Sequence, residues 1–282
     1  MTEKVPGLDL EQYSGGRHLP DKFYDYFYPE EDFEVIDDAR QARIWGSDNG
    51  GLTVYTEAEW LELFRQQDLE KLASGIFWDT LVKEVNRTNF KLPEKRPVDI
   101  LDLACGRCKE GRLLNSFFGS EEPFEFSDQV NLFGIDTDSE SIESAQYANG
   151  EEFDVETAKR VPSKNMVFIA GDATRLEDYP EIPEQVDVVV IRHQQFVGGP
   201  DYLPGQAEEI WSQIISNGIK RLRPGGIAII TCYFQIESEP VKKLLEGFSG
   251  KIVVDEKNEF ARDRDDEQSI LDDQYILIFE KE

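Results

Sequence analysis

Residues 98–112, VDILDLACGRCKEGR, constrain the fold more than any other stretch of the chain. An apolar run from Val98 to Leu103 carries an acid near its end, Asp102. Small residues follow (Ala104, Cys105, Gly106), and the pattern from Lys109 to Phe117 reads as a helix. Strand, small-residue turn and helix in that order build a nucleotide-sized pocket at a strand's carboxyl end in an open α/β sheet. Small side chains let backbone approach a ligand closely, and the helix start leaves N–H groups free.

Beyond this stretch, strands and helices alternate. The apolar pattern predicts strands at 98–103, 131–135, 166–170, 186–191 and 227–233, with two more at 251–254 and 275–280. Helices are predicted at 109–118, 139–148, 206–222 and 239–248. Several strands are almost continuously apolar, as in a parallel sheet buried on both faces. The charged stretch 258–273 holds no crossover helix, so the last pair is expected to return antiparallel. Pro224-Gly225-Gly226 is read as the tight turn from helix into the fifth strand. The expected fold is α/β: a Rossmann-like, seven-stranded, mostly parallel sheet with an antiparallel last strand and helices on both faces.

Residues 1–95 differ in character. They hold the aromatic segment FYDYFY (23–28), a short stretch from Ala39 to Trp45 read as helical, and the turn signal GSDNGG (46–51). A capping box at Thr56–Glu59 precedes Trp60, Leu61, Phe64, Leu69, Leu72, Ile76 and Phe77, whose spacing predicts one or two helices over about 57–88. The chain is therefore divided into a helical, aromatic amino-terminal cap or lid (1–95) and a sheet domain (96–282).

Composition narrows the partners. With 58 acidic against 30 basic residues, the formal charge is −28. Such a field repels nucleic-acid backbone and anionic lipid and favours neutral or cationic partners. No apolar run approaches the roughly 20 residues that span a bilayer, and the start MTEKVPGLDLEQ lacks a signal-peptide core. Three cysteines fit a reducing cytoplasm better than a disulfide framework. Oligomeric state is not legible.

Individual positions then suggest chemistry. Asp136 ends the second strand, where a carboxylate accepts both hydroxyls of a ribose; the competing reading is a helix N-cap, with Ser139 as rival. Asp172, just past the third strand and before Ala173, faces adenine in one reading and starts a turn in the other. Arg192 and His193 end the fourth strand, with Gln194, Gln195 and Phe196 behind them and a Gly/Pro-rich loop at 198–206 suited to a gate. Cys105 and Cys108 form a CxxC, but no second CxxC or CxxH completes a zinc site, so no metal is expected. Cys108 near a helix start, between Arg107 and Lys109, has a lowered pKa in one reading and is a small residue tolerated in the turn in the other, favoured one.

In this order and at these strand ends, ILDLACG, GIDTDSESIESA, FIAGDATRLED, VDVVVIRH and RLRPGGIAIIT resemble the class I S-adenosylmethionine-dependent methyltransferases over about 98–282. The family's glycine loop carries glycines at alternate positions; here they are Ala104, Gly106 and Cys108. The resemblance implies S-adenosylmethionine as cofactor and S-adenosylhomocysteine as product. It also implies Asp102, Ala104, Cys105, Gly106, Asp136, Thr137, Asp172, Ala173 and Arg192 as cofactor-binding residues. His193 becomes the candidate general base. The acceptor is expected to be a small organic molecule, methylated on oxygen or nitrogen. It would sit between sheet edge and cap, with Tyr24, Tyr26, Phe27, Tyr28, Trp45 and Tyr55 as candidate lining. Nucleic acid is not expected, for want of a basic groove, although DLACGRCKEG with RHQQF is faintly similar to messenger-RNA cap guanine-N7 methyltransferases. A basic protein or RNA-cap acceptor, and a cofactor-binding sensor or scaffold without turnover, are the alternatives. A nicotinamide dehydrogenase would want the fuller GxGxxG that ACGRCK lacks.

Overall fold

All six residues of the run Val98–Leu103 are buried, and the strand they form, β1, lies inside the main sheet. The computed structural model describes residues 44–46, 52–54, 74–94, 96–119, 128–149, 151–154, 159–163, 165–194, 205–261 and 273–282. The other strands of the sheet are β2 (Val130–Asp136), β3 (Met166–Ala170), β4 (Val186–Ile191), β5 (Leu222–Cys232), β6 (Gly250–Lys257) and β7 (Tyr275–Lys281). They are ordered β6-β7-β5-β4-β1-β2-β3. All are parallel except β7, which runs antiparallel to both neighbours. This is the expected sheet. Its direction of growth reverses between β1 and β4, so a crevice opens there at the carboxyl ends of the strands.

Period-two alternation sends successive side chains to opposite faces. Ile100, Val188, Val190, Ile229 and Ile278 face one core, and Leu101, Leu103, Val189, Ile191 and Ile230 face the other. The first core takes Phe77, Trp78 and Leu81 of helix α1 (residues 74–85) and Leu114, Phe117 and Phe118 of α2 (Gly111–Gly119). It also takes Ile142 and Ala145 of α3 (Ser139–Asn149). The second core is covered by Trp211, Ile215 and Ile219 of α4 (Gln206–Arg221) and by Val241 and Leu245 of α5 (Gln235–Leu245).

Some boundaries move for identifiable reasons. Helix α2 starts at Gly111 rather than 109, because successive turns hold the preceding loop: the Cys108 N–H donates to Cys105 O at 2.7 Å and the Gly111 N–H to Cys108 O at 3.0 Å. The Pro224-Gly225-Gly226 turn lies within β5 rather than before it. Leu222 pairs with Val186 and Ile227 with Val188, so the extra residues bulge out, with Gly225 at φ 79°. A small antiparallel hairpin, Glu151–Asp154 with Lys159–Pro162, was not expected. Ile44 and Trp45, expected at the end of a helix, and Gly46, expected in a turn, instead pair with Leu52–Val54 as a strand. FYDYFY, the candidate aromatic lining and most of the 57–88 helical segment lie outside the described residues. Among the described residues no helix is long and apolar enough to cross a membrane.

Candidate active site

The chain leaves β1 through three alternate residues in the left-handed region: Ala104 (φ 54°), Gly106 (φ 52°) and Cys108 (φ 44°). This backbone explains why glycine suits all three positions. Close packing holds the loop on β2. A Cβ at Gly134 would meet Cys105 Sγ at 2.9 Å and Phe168 at 2.6 Å. The Cys105 N–H donates to Ile135 O at 3.2 Å.

Asp136 ends β2 and faces this loop. Its Oδ2 accepts the Gly106 N–H at 2.8 Å and its Oδ1 accepts the Asp138 N–H at 2.9 Å, which fixes the carboxylate while lone pairs remain on both oxygens. Neither Asp136 nor Ser139 caps α3. Asp138 does, accepting the Glu140 N–H at 3.1 Å and the Ser141 hydroxyl at 2.7 Å. On β3's exit, Asp172 is the N-cap of the 3-10 helix Ala173–Asp178, its Oδ1 accepting from Thr174 N at 2.9 Å and Oγ1 at 2.7 Å. The cap uses one oxygen and leaves Oδ2 without a partner among the described residues. Ala173, at the first helical position, has an N–H with no intrahelical acceptor.

These groups surround a cavity of about 740 Å³. Nine of the expected site residues line it: Ala104, Cys105, Gly106, Asp136, Thr137, Asp172, Ala173, Arg192 and His193. Asp102 does not. It is fully buried beneath the loop, with Oδ2 accepting from the Cys108 thiol at 3.2 Å and Oδ1 unpartnered among the described residues. Burial first, and then the charge of Glu110, hold the Asp102 carboxyl well above the usual carboxylate range.

Cys108 requires a correction. The low-pKa reading fails because the thiol is fully buried, out of contact with solvent. The hydrogen bond with Cys105, burial, and the nearby Asp102 and Glu110 push it well up. For Cys105 the bond to Cys108 pulls down, but burial and the same acids prevail and raise it. Both are free thiols.

At the end of β4, Arg192 is clamped by carboxylates. Nη2 donates to Asp273 Oδ2 at 2.8 Å and Nη1 to Glu110 Oε2 at 3.2 Å, and the guanidinium lies 4.1 Å from the Phe77 ring centre. Burial opposes its charge, but Asp273 and Glu110 outweigh that and raise its pKa. The next residue, His193, sits at φ 56°, its N–H donating to Thr231 O at 3.1 Å. Gln194 is buried against Cys232 Sγ at 2.7 Å and does not line the cavity; Gln195, Phe196 and the 198–204 part of the expected gate lie outside the described residues. Sequence reasoning missed Glu110, Asp273, Ser74 and the apolar wall of Ile210, Trp211 and Ile214. The helical spacing of the last three on α4 was a usable signal. Nothing local marked the acids.

A sheet of this order, with an acid at the end of β2 and a crevice where β1 and β4 diverge, defines the class I S-adenosylmethionine-dependent methyltransferase fold. A family model described as a methyltransferase domain matches residues 94–274, and the chain belongs to that family. It is an S-adenosylmethionine-dependent methyltransferase. No curated protein matches it. Among solved structures it is similar to a Clostridium thermocellum protein assigned as an rRNA methylase (16% identity, 74% of this chain and 97% of the other, TM-score 0.47). It is also similar to the Methanococcus jannaschii fibrillarin pre-rRNA processing protein (20% identity, 86% and 83%, TM-score 0.44). A third is a T. thermophilus 16S rRNA N2 G1207 methyltransferase in complex with AdoMet and guanosine (18% identity, 74% and 43%, TM-score 0.43).

These likenesses assign no residue role, but they overturn one expectation. The reading of a small-molecule acceptor, with nucleic acid not expected, does not stand, because the similar structures are described as rRNA methyltransferases and a pre-rRNA processing protein. A net charge of −28 belongs to the whole chain and does not by itself set the potential at the site, where Arg107 and Lys109 line the cavity together with Glu110, Asp136 and Asp172.

Proposed function

We propose that this chain methylates a nitrogen or oxygen nucleophile presented at the cavity mouth, with the donor's nucleoside held between Asp136 and Asp172. The carrying observation is that these two carboxylates end adjacent strands, face one cavity, and are each locked by internal hydrogen bonds that leave acceptor capacity unused. Asp136 would take the ribose hydroxyls, and Asp172 Oδ2 with the Ala173 N–H the adenine edge. The Ala104–Gly106 backbone would hold the amino-acid end, with Thr137 beside the ribose. Bound S-adenosylmethionine supplies a methyl group already activated by its sulfonium. The protein's part is then alignment and removal of the acceptor's proton, the second assigned to His193. Arg192, fixed on two carboxylates, forms the wall beside it.

Similar structures are described as acting on rRNA, so RNA is the first acceptor to try and protein the second. We also propose residues 1–73 as the cap that selects the acceptor. Helix 74–85 belongs to the core, and Ser74 lines the cavity.

The test is calorimetric titration with S-adenosylmethionine and S-adenosylhomocysteine, followed by transfer of labelled methyl to purified rRNA and to total protein. Micromolar binding that is lost in Asp136→Ala, with label in one fraction, is expected. No binding of either ligand would sink the proposal. Deleting 1–73 should spare cofactor binding and abolish label transfer; undiminished transfer removes the cap.

A further inference from the structure

Asp273 lies 80 residues downstream of His193, at the entry to β7, yet its carboxylate is the meeting point of the site. It is almost fully buried. Oδ2 accepts from Arg192 Nη2 at 2.8 Å, and Oδ1 accepts the Thr231 hydroxyl at 2.5 Å. His193 Nε2 is buried and stands 2.7 Å from that same Oδ1, a charge contact whose angle falls short of a hydrogen bond in this ring orientation. The Asp273 backbone is pinned as well, its carbonyl accepting from Asn258 Nδ2 at 2.7 Å. The imidazole has little freedom, because it stacks on Tyr233 with centroids 4.0 Å apart and planes 18° apart, and its backbone is held at positive φ.

We propose that Asp273 is a positioning residue: it fixes the His193 ring with the Nε2 proton toward its own carboxylate, so that Nδ1 is the nitrogen left to take a proton from the acceptor. This rests on the reading of His193 as the base. A carboxylate offers only acceptors, and a neutral imidazole has one donor and one acceptor, so the nitrogen beside the carboxylate carries the hydrogen. Charge agrees with this. The groups facing the ring are Asp273 just before β7, Arg192 just after β4 and Tyr233 just after β5, with Glu110 behind Arg192. Two carboxylates against one guanidinium leave one negative charge, which an imidazolium neutralises in place. Asp273 itself is ionised: burial opposes this, but Arg192 and then His193 hold it well below the usual carboxylate range.

Only two histidines exist, so His18→Gln leaves a single ring signal in the nitrogen-15-labelled full chain bound to S-adenosylhomocysteine. The ring-nitrogen shifts are expected to show the proton on Nε2. In Asp273→Asn the amide presents a donor to the ring, and the proton is expected to move to Nδ1, with S-adenosylhomocysteine affinity changed less than about threefold. A parent ring protonated on Nδ1, or an Nε2 proton that persists in Asp273→Asn, overturns the proposal. Should Asp273→Asn not fold, Thr231→Val serves instead. It removes the hydroxyl donor from Oδ1, strengthens that oxygen's hold on the ring, and is expected to keep the Nε2 proton; a shift to Nδ1 overturns the proposal. Full methyl transfer by His193→Ala defeats the base reading alone, since the tautomer measurement needs no acceptor.

Discussion

The two edges of the sheet both bury charge, and they treat it in opposite ways. At the amino edge, two arginines meet two aspartates. Arg96 holds Asp187 with two bonds of 2.6 Å, and Arg223 bridges Asp187 at 3.0 Å and Asp99 at 2.9 Å. Asn131 and the Asp99 N–H fill further acceptor sites, each at 2.9 Å. At the carboxyl edge, Asp102, Glu110 and Asp273 face one guanidinium, Arg192. One Asp102 oxygen is unpartnered there, and three non-glycine residues sit at positive φ. A closed, neutral cluster ties strands together. An open, unbalanced one keeps capacity for a ligand, and strain gathers where function needs it.

The largest expected effect tests the closed edge. Asp187→Ala leaves two arginines short of a partner and should lower stability by about 3–5 kcal/mol in urea unfolding, with cofactor affinity of the folded protein unchanged. At the open edge, Asp136→Ala should weaken S-adenosylhomocysteine binding at least about 100-fold, roughly 3 kcal/mol, with little change in Tm. Equal losses of stability in both variants would erase the distinction.

Acid titration sharpens it. Burial raises the Asp187 carboxyl, but the Arg96 bond, the Asp99 N–H and Arg223 prevail and hold it below the ordinary value. Its contribution is therefore present above about pH 4 and lost as pH falls through the folded-state value. Asp102 has the opposite sign. Its raised pKa favours the fold at low pH, and that advantage fades as pH rises from about 4 through the folded-state value. Tm measured from about pH 3 to 8 should lose part of its acid limb in Asp187→Asn and part of its decline toward neutrality in Asp102→Asn. At pH 7, Asp102→Asn keeps an acceptor for the Cys108 thiol and takes away the ionisable group whose charged form burial penalises. It should raise Tm by about 2–4 °C, and a fall would contradict the tension assigned to this edge. Smallest of all, Ala104→Gly relaxes a left-handed residue and should add at most about 1 kcal/mol.

Much of the fold was legible because its signals are local. Short, mostly apolar runs bounded by turn residues read as buried strands, and 98–103, 166–170 and 186–191 match the structure to the residue. The antiparallel β7 followed from the lack of a crossover helix. Strand ends carry the site in an open sheet, so Asp136, Asp172, Arg192 and His193 could be picked from one-dimensional position and do line one cavity. The hairpin at 151–162 escaped because its alternation of charge resembles a solvated loop. The low-pKa reading of Cys108, the less favoured of two, failed because its neighbours in sequence are Arg107 and Lys109, whereas its neighbours in space are Asp102, Cys105 and Glu110.

The sequence by itself determined the class: an alternating α/β chain with the strand-end residues of a methyltransferase, since hydrophobic period and turn chemistry act over a few residues. Only the tertiary structure decided which charges meet. Asp273 joins Arg192 and His193 because β7 inserts antiparallel beside β5, placing the residue that leads into β7 against the ends of β4 and β5. Electrostatic pairing depends on distance through space, and strand order, not chain order, sets that distance.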